Sequence, residues 1–152
     1  MANTLTSLAF GAALTLVSAT VLAADRYDGV SQVEVFANST MVITSTRSAP
    51  FPIKVYRVDG LAQAEALANQ GLPQTEAEAT VYLARQQEAI RRRVEPLIRE
   101  ALQGLQLVQR YRLDRMPAVV VNQQSVVFGV TDVDDALQRF QAHRVAKAVA
   151  AK

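Results

Sequence analysis

Residues 115–137 read RMPAVVVNQQSVVFGVTDVDDAL, and the fold class follows from this stretch. Residues 118–121 are a nearly continuous apolar run, the pattern of a strand buried on both faces. Asn122, Gln123 and Gln124 make a polar turn, and SVVF at 125–128 is the returning strand, ended by Gly129. Two short β-rich runs joined by so brief a link form a hairpin. Thr131 and Asp134 have capping-box spacing, and Val133, Ala136, Leu137 and Phe140 share one face of the helix that follows. The chain after His143, VAKAVAAK, is expected to fray, with 146–152 a disordered tail.

Working toward the amino terminus, two more strands appear. QVEVFA at 32–37 alternates, with Val33, Val35 and Ala37 on one side and Glu34 and Phe36 on the other. IKVYRV at 53–58 alternates as well, and the stiff lead-in Ala49-Pro50-Phe51-Pro52 and the turn Asp59-Gly60 bound it. Between these strands, 39–48 is rich in hydroxyl and β-branched residues and predicts an irregular or one-turn segment. A short Ala/Leu-rich helix is predicted over 61–69, closed by Gly71 and Pro73. Thr75 and Glu78 then open a long helical region, with Pro96 expected to break or kink it near Val94. Beyond it Leu97, Ile98, Ala101, Leu102, Leu105 and Val108 form a stripe at helical spacing, expected in the core, and the region ends around 111–115. The order is strand, strand, long helices, strand, hairpin strand, helix. It predicts an α/β domain with one mixed sheet of about four strands, helices packed on it, and a long helical insertion between strands 2 and 3.

Composition closes off several chemistries. The chain has 152 residues, 50% of them hydrophobic, and no Cys or Trp. Without Cys there is no disulfide, thiol redox couple, Cys-ligated zinc or Cys nucleophile. The one His, His143, lacks companions for a triad or a ligand set and reads as a surface residue. Net charge is +2, yet residues 85–115 hold eight Arg against four acids. Such a run reads first as the solvated side of an amphipathic helix. Within it Arg91, Arg92 and Arg93 are candidates for binding acidic protein or lipid headgroups, although three adjacent helical residues point in different directions. Nucleic-acid binding would need a wider basic field with aromatic or loop contacts and is not expected.

The first 24 residues carry no charged side chain, and LAFGAALTLVSATVL at 8–22 is too short to span a bilayer. With small residues at Ala23 and Ala24 before Asp25, this reads as a cleaved secretory signal peptide over 1–24, with an uncleaved amino-terminal membrane anchor as the alternative. The expected mature domain is 25–145, periplasmic, with no membrane span after cleavage.

A parallel unit followed by a hairpin and a closing helix resembles the thioredoxin-like arrangement, in which the X-Pro bond before the third strand is a cis-proline loop. More specifically, PAVV, VVFG and GVTDV within 117–133 resemble the carboxyl-terminal signature of an integrating conjugative element protein family. VEVFANS at 33–39, VDG at 58–60, GLP at 71–73 and the Ala/Arg-rich helix follow the same pattern. The resemblance implies a thioredoxin-like, exported component encoded with the type IV secretion machinery of conjugation, whose partners are other envelope proteins of that apparatus. It implies assembly or scaffolding; a chaperone-like binder of pilin or channel subunits is the alternative.

Where thioredoxin-like enzymes carry a reactive dithiol at a helix start, this chain has Asn38, Ser39, Thr40 and Met41, so no thiol chemistry and no enzyme is expected. Those four residues, with Met116 and Pro117, form the expected partner-binding face, and Arg91, Arg92 and Arg93 a second one. Ser39, Thr40, Thr44, Ser45 and Thr46 lack a credible base for nucleophilic catalysis. Asp132, Asp134 and Asp135 lack the Gly and terminal Glu of a calcium loop and read as helix-start acids. No cofactor and no metal is expected.

Overall fold

A computed structural model describes residues 27–45 and 49–151. The expected signal peptide, 1–24, lies outside the described residues. Seven elements follow one another: β1 Val33–Ala37, β2 Ile53–Arg57, α1 Gly60–Ala68, α2 Glu76–Tyr111, β3 Ala118–Val121, β4 Ser125–Phe128 and α3 Val133–Ala150. They build a mixed four-stranded sheet in the order β2-β1-β3-β4, with a long helix between strands 2 and 3. β1 runs parallel to β2 and antiparallel to β3, and β4 returns antiparallel beside β3.

Every residue of β1 and of β3 is buried. The alternation in 32–37 therefore sorts side chains between two covered faces. Val33 and Val35 join Val119, Val121, Val133, Ala136, Leu137 and Phe140 on the side covered by α3. Phe36 joins Tyr56, Leu113, Ala118 and Val120 on the other side, with Leu107, Val108 and Tyr111 at the end of α2 packed against them. Phe36 stacks on Tyr56, with ring centroids 5.1 Å apart, and meets Tyr111 edge-on at 6.0 Å.

Glu34 sits on this second face and is only 8% exposed. A buried carboxylate without a donor would be expensive. The Tyr111 hydroxyl donates to its Oε2 at 2.6 Å. Burial first, then this hydrogen bond and the carboxylate's charge, push the Tyr111 phenol up to about 12. The last residue of α2 is thereby tied to the central strand.

The long helical region is one helix. Thr75 caps it, its Oγ1 accepting from the Glu78 N–H at 3.4 Å. Pro96, expected to break or kink it, lies inside the continuous helix and does not break it. The proline is exposed, so the carbonyl one turn earlier, deprived of its N–H partner, can be met by water. The stripe at 97–108 divides. Ala101 and Gly104 are buried, with no room for larger side chains: a Cβ on Gly60 would come within 2.9 Å of the Ala101 Cβ, and one on Gly104 within 3.2 Å of Tyr56. Ile98 and Leu102, expected in the core, are 37% and 48% exposed, because α1 and the sheet cover only one side of the stripe.

α3 starts one residue later than the capping-box reading placed it. Asp132 is the cap, its Oδ1 accepting from the Asp134 and Asp135 N–H groups at 2.8 and 3.2 Å. The expected inner face is buried, with Gln141 added. The expected frayed tail is a correction too: α3 continues through Ala150, since the Ala-rich run after His143 contains no breaker and favours the helix. At the hairpin, Asn122 and Gln123 both take positive φ, 53° and 59°. Both ends of the Asn122 amide are engaged: Oδ1 accepts from the N–H and Oγ of Ser31 at 2.8 and 3.0 Å, and Nδ2 donates to the Gly29 carbonyl at 2.7 Å.

Two predictions follow from this packing. In a spectrophotometric titration, one of the four tyrosines should ionise near pH 12, and Glu34→Gln should lower that midpoint. Because this pKa is raised by folding, the stability it contributes is complete below about pH 10, the ordinary tyrosine value, and declines as pH rises toward 12. Gln123→Gly should raise stability by about 0.5–1 kcal/mol in urea unfolding, since only glycine adopts the left-handed region without strain.

Candidate functional site

The carboxyl end of β1 is where most of the expected site residues meet. β1 and β3 pair antiparallel with Phe36 opposite Ala118, so the same register continued by two residues sets Asn38 across from Met116. The Met116–Pro117 peptide is cis. Asn38, Met41, Met116 and Pro117 are half-buried, and Ser39 and Thr40 are exposed. Beside them Val42 is 78% exposed.

Among the described residues, 38–45 form an irregular turn, in line with their hydroxyl-rich, β-branched composition. Two residues from the end of β2 hold it. Arg57 Nη1 donates to the carbonyls of Asn38 and Met41 at 2.7 and 3.0 Å. The Asp59 carboxylate accepts from the Ser39 N–H at 3.0 and 3.1 Å and from the Ser39 hydroxyl. Neither Arg57 nor Asp59 stood out in the sequence as a site residue. The signal was a salt-bridge-like pair, Arg-x-Asp, at the strand end, which read only as strand and turn.

The Ser39 side-chain hydrogen bond, helped by backbone N–H groups and opposed by slight desolvation, holds the Asp59 carboxyl below the ordinary aspartate value. In return the carboxylate holds the N–H and hydroxyl of Ser39 in place. Thr44 is likewise committed: its Oγ1 donates to Asp132 at 3.2 Å, and its backbone bridges to Thr131 and Val133. Thr46 lies outside the described residues.

The structure does not bring the arginine candidates to this face. Arg92 lies nine residues before Ala101, which sits against Gly60 next to Asp59, about 14 Å along the helix at 1.5 Å per residue. Arg91 and Arg92 face Glu95 and Glu88 at 3.6 and 3.8 Å, and all three arginines are exposed. Exposed pairs at this spacing contribute little. Asp132 and Asp135 serve α3, the first as cap and the second in a two-pronged pair with Arg139 at 3.0 and 3.1 Å. Backbone N–H groups, that of Asp135 foremost, hold the Asp132 carboxyl below its ordinary value. Among the described residues no group of three His, Cys, Asp or Glu comes together as a metal site, and no helix is long and apolar enough to cross a membrane.

The Ser39–Asp59 link yields a test. Ser39→Ala should raise the Asp59 midpoint, read by carbon-13 NMR, toward the ordinary value near 4. The stability from a lowered carboxyl pKa is present above that value and is lost as pH falls through the folded-state midpoint. The variant should therefore lose less stability than the wild type on acidification below about pH 4.

Comparison with known proteins finds no match among curated proteins and none among solved structures. Residues 30–146, from the segment ahead of β1 almost to the end of α3, match one family, described as Protein of unknown function (DUF1525). That span includes all four strands and the whole carboxyl end of β1, and the chain belongs to this family.

Proposed function

We propose that this protein is an exported, thioredoxin-like, non-enzymatic component of the conjugative type IV secretion apparatus of an integrating conjugative element. It acts in assembly or scaffolding in the periplasm, and docks other envelope proteins through the carboxyl end of β1. The observation that carries the reading is this face itself. Met41, Val42, Met116 and Pro117 present apolar surface around a turn whose polar backbone groups are bound internally by Arg57 and Asp59. Such a surface favours packing of a partner over polar chemistry, and the Ser39 hydroxyl is taken up by the Asp59 carboxylate. Two further features support the thioredoxin-like plan: the strand order, with a parallel pair and then an antiparallel hairpin, and the cis proline ahead of β3. Where that plan has its first crossover helix, the described residues 38–45 form an irregular turn, which suits a docking role with no thiolate to stabilise.

A clean deletion of the gene should lower transfer of the element without changing oxidation of periplasmic reporter proteins. The wild-type gene should restore transfer, and a Val42→Glu version should restore less, since this exposed side chain touches no core. Transfer at the parental frequency in the deletion strain would remove the apparatus reading.

A further inference from the structure

The two edges of the sheet are guarded differently. β2 carries Lys54 and Arg57, charges of the kind that discourage pairing with another strand. β4 carries no charge and no proline, and residues 116–131 hold no charged side chain at all. The ladder also fixes which of its backbone groups are spent. Gly129 N–H donates to the Pro117 carbonyl at 2.9 Å, and the same register pairs Val127 with Val119 and Ser125 with Val121. Hydrogen-bonded and non-bonded pairs alternate in an antiparallel ladder. Ser125, Val127 and Gly129 therefore turn their N–H and C=O groups toward β3, and Val126 and Phe128 turn theirs outward. Among the described residues no strand lies beyond β4.

Beside the amino end of β4 is a cleft of about 310 Å³ lined by Gly29, Asn122, Gln124, Ser125, Phe140 and Arg144. Arg144 is its cation. Its Nη1 donates to the Asp28 carbonyl at 2.8 Å and to Gln141 Oε1 at 3.0 Å, which fixes the guanidinium, and its side chain remains 45% exposed. The Asp28 carboxylate forms an exposed ion pair with it at 3.6 Å, beyond hydrogen-bond reach, a pairing that contributes little and leaves the rest of the guanidinium open.

We propose that the open edge of β4 receives an extended segment of a partner protein as a fifth strand, with an acidic side chain of that segment against Arg144. Strand addition draws its affinity from main-chain hydrogen bonds, offered here by Val126 and Phe128, and its selectivity from side-chain contacts, offered here by the Arg144 cleft. A second copy fits less well, because pairing two β4 strands would bring each Arg144 toward an edge without an acid. The cleft lies at the end of the sheet opposite Asn38 and Met116, so failure here leaves the proposed function standing, and the reverse holds too.

The test is selection of a random displayed peptide library on the immobilised full chain, followed by binding of synthetic copies of enriched peptides. Enriched sequences should hold an uncharged β-branched run beside Glu or Asp. Val126→Pro removes an outward donor and leaves the β3–β4 ladder whole, and should weaken binding about tenfold, the effect of about 1.4 kcal/mol. N-methylation of alternate residues in the peptide should give a comparable loss on the wild-type protein, whatever the fate of the proline variant. Glu→Gln in the peptide should weaken binding to the wild type, and Arg144→Gln should abolish that difference. Three results would overturn the proposal: no enriched peptide, binding indifferent to N-methylation, or self-association that Val126→Pro abolishes with no peptide binding. Equal binding of Glu and Gln peptides would overturn the part assigned to Arg144.

Discussion

β1 has no solvent side, and that constraint organises the molecule. Its five residues pair with β2 on one flank and β3 on the other, while α3 covers one face and the end of α2 the other. A polar atom on such a strand must find its partner inside the protein. Glu34 finds Tyr111, so the terminus of a long helix is fixed by one hydrogen bond to the central strand. Where the strand ends at Ala37, the chain leaves the sheet and its next backbone groups need partners as well. Arg57 and Asp59, arriving on the parallel neighbour, provide them. The shape of the candidate site is thus a by-product of how the central strand is finished.

Much of the architecture could be read from local pattern because local and tertiary demands agreed. The AVVV run, the polar turn and SVVF named a hairpin, and the structure has it at those residues. Thr75 caps the long helix as its spacing implied. Pro96 and the tail went the other way. The proline's local penalty is eased because it stands on an exposed side of the helix, and the residues after His143 follow their own helix propensity for want of anything to stop them. Ile98 and Leu102 matched the core period yet stayed outside, because periodicity reports which side of a helix is apolar and not how wide its neighbour is.

The candidate site was legible in part. Position in the chain identified 38–41 and 116–117 as loops at strand ends, and antiparallel register brings them level. Arg57 and Asp59 escaped notice because their role depends on strands 1 and 2 lying side by side, a contact across roughly twenty residues that no local pattern encodes. Arg91, Arg92 and Arg93 drew attention by adjacency in sequence, yet a helix scatters neighbours around its axis, and Glu88 and Glu95 face two of them.

The single path of α2 past Pro96 also sets distances within the molecule. A helix of 36 residues measures about 54 Å, against about 17 Å for a five-residue strand. Only its final third lies on the sheet, so the rest is an overhanging arm braced by α1. A partner near Thr75 and another at the end of β1 would be held apart by the length of that arm, each out of the other's way. In mechanical terms such an arm would make a spacer, carried past an exposed proline by a helix that continues through it.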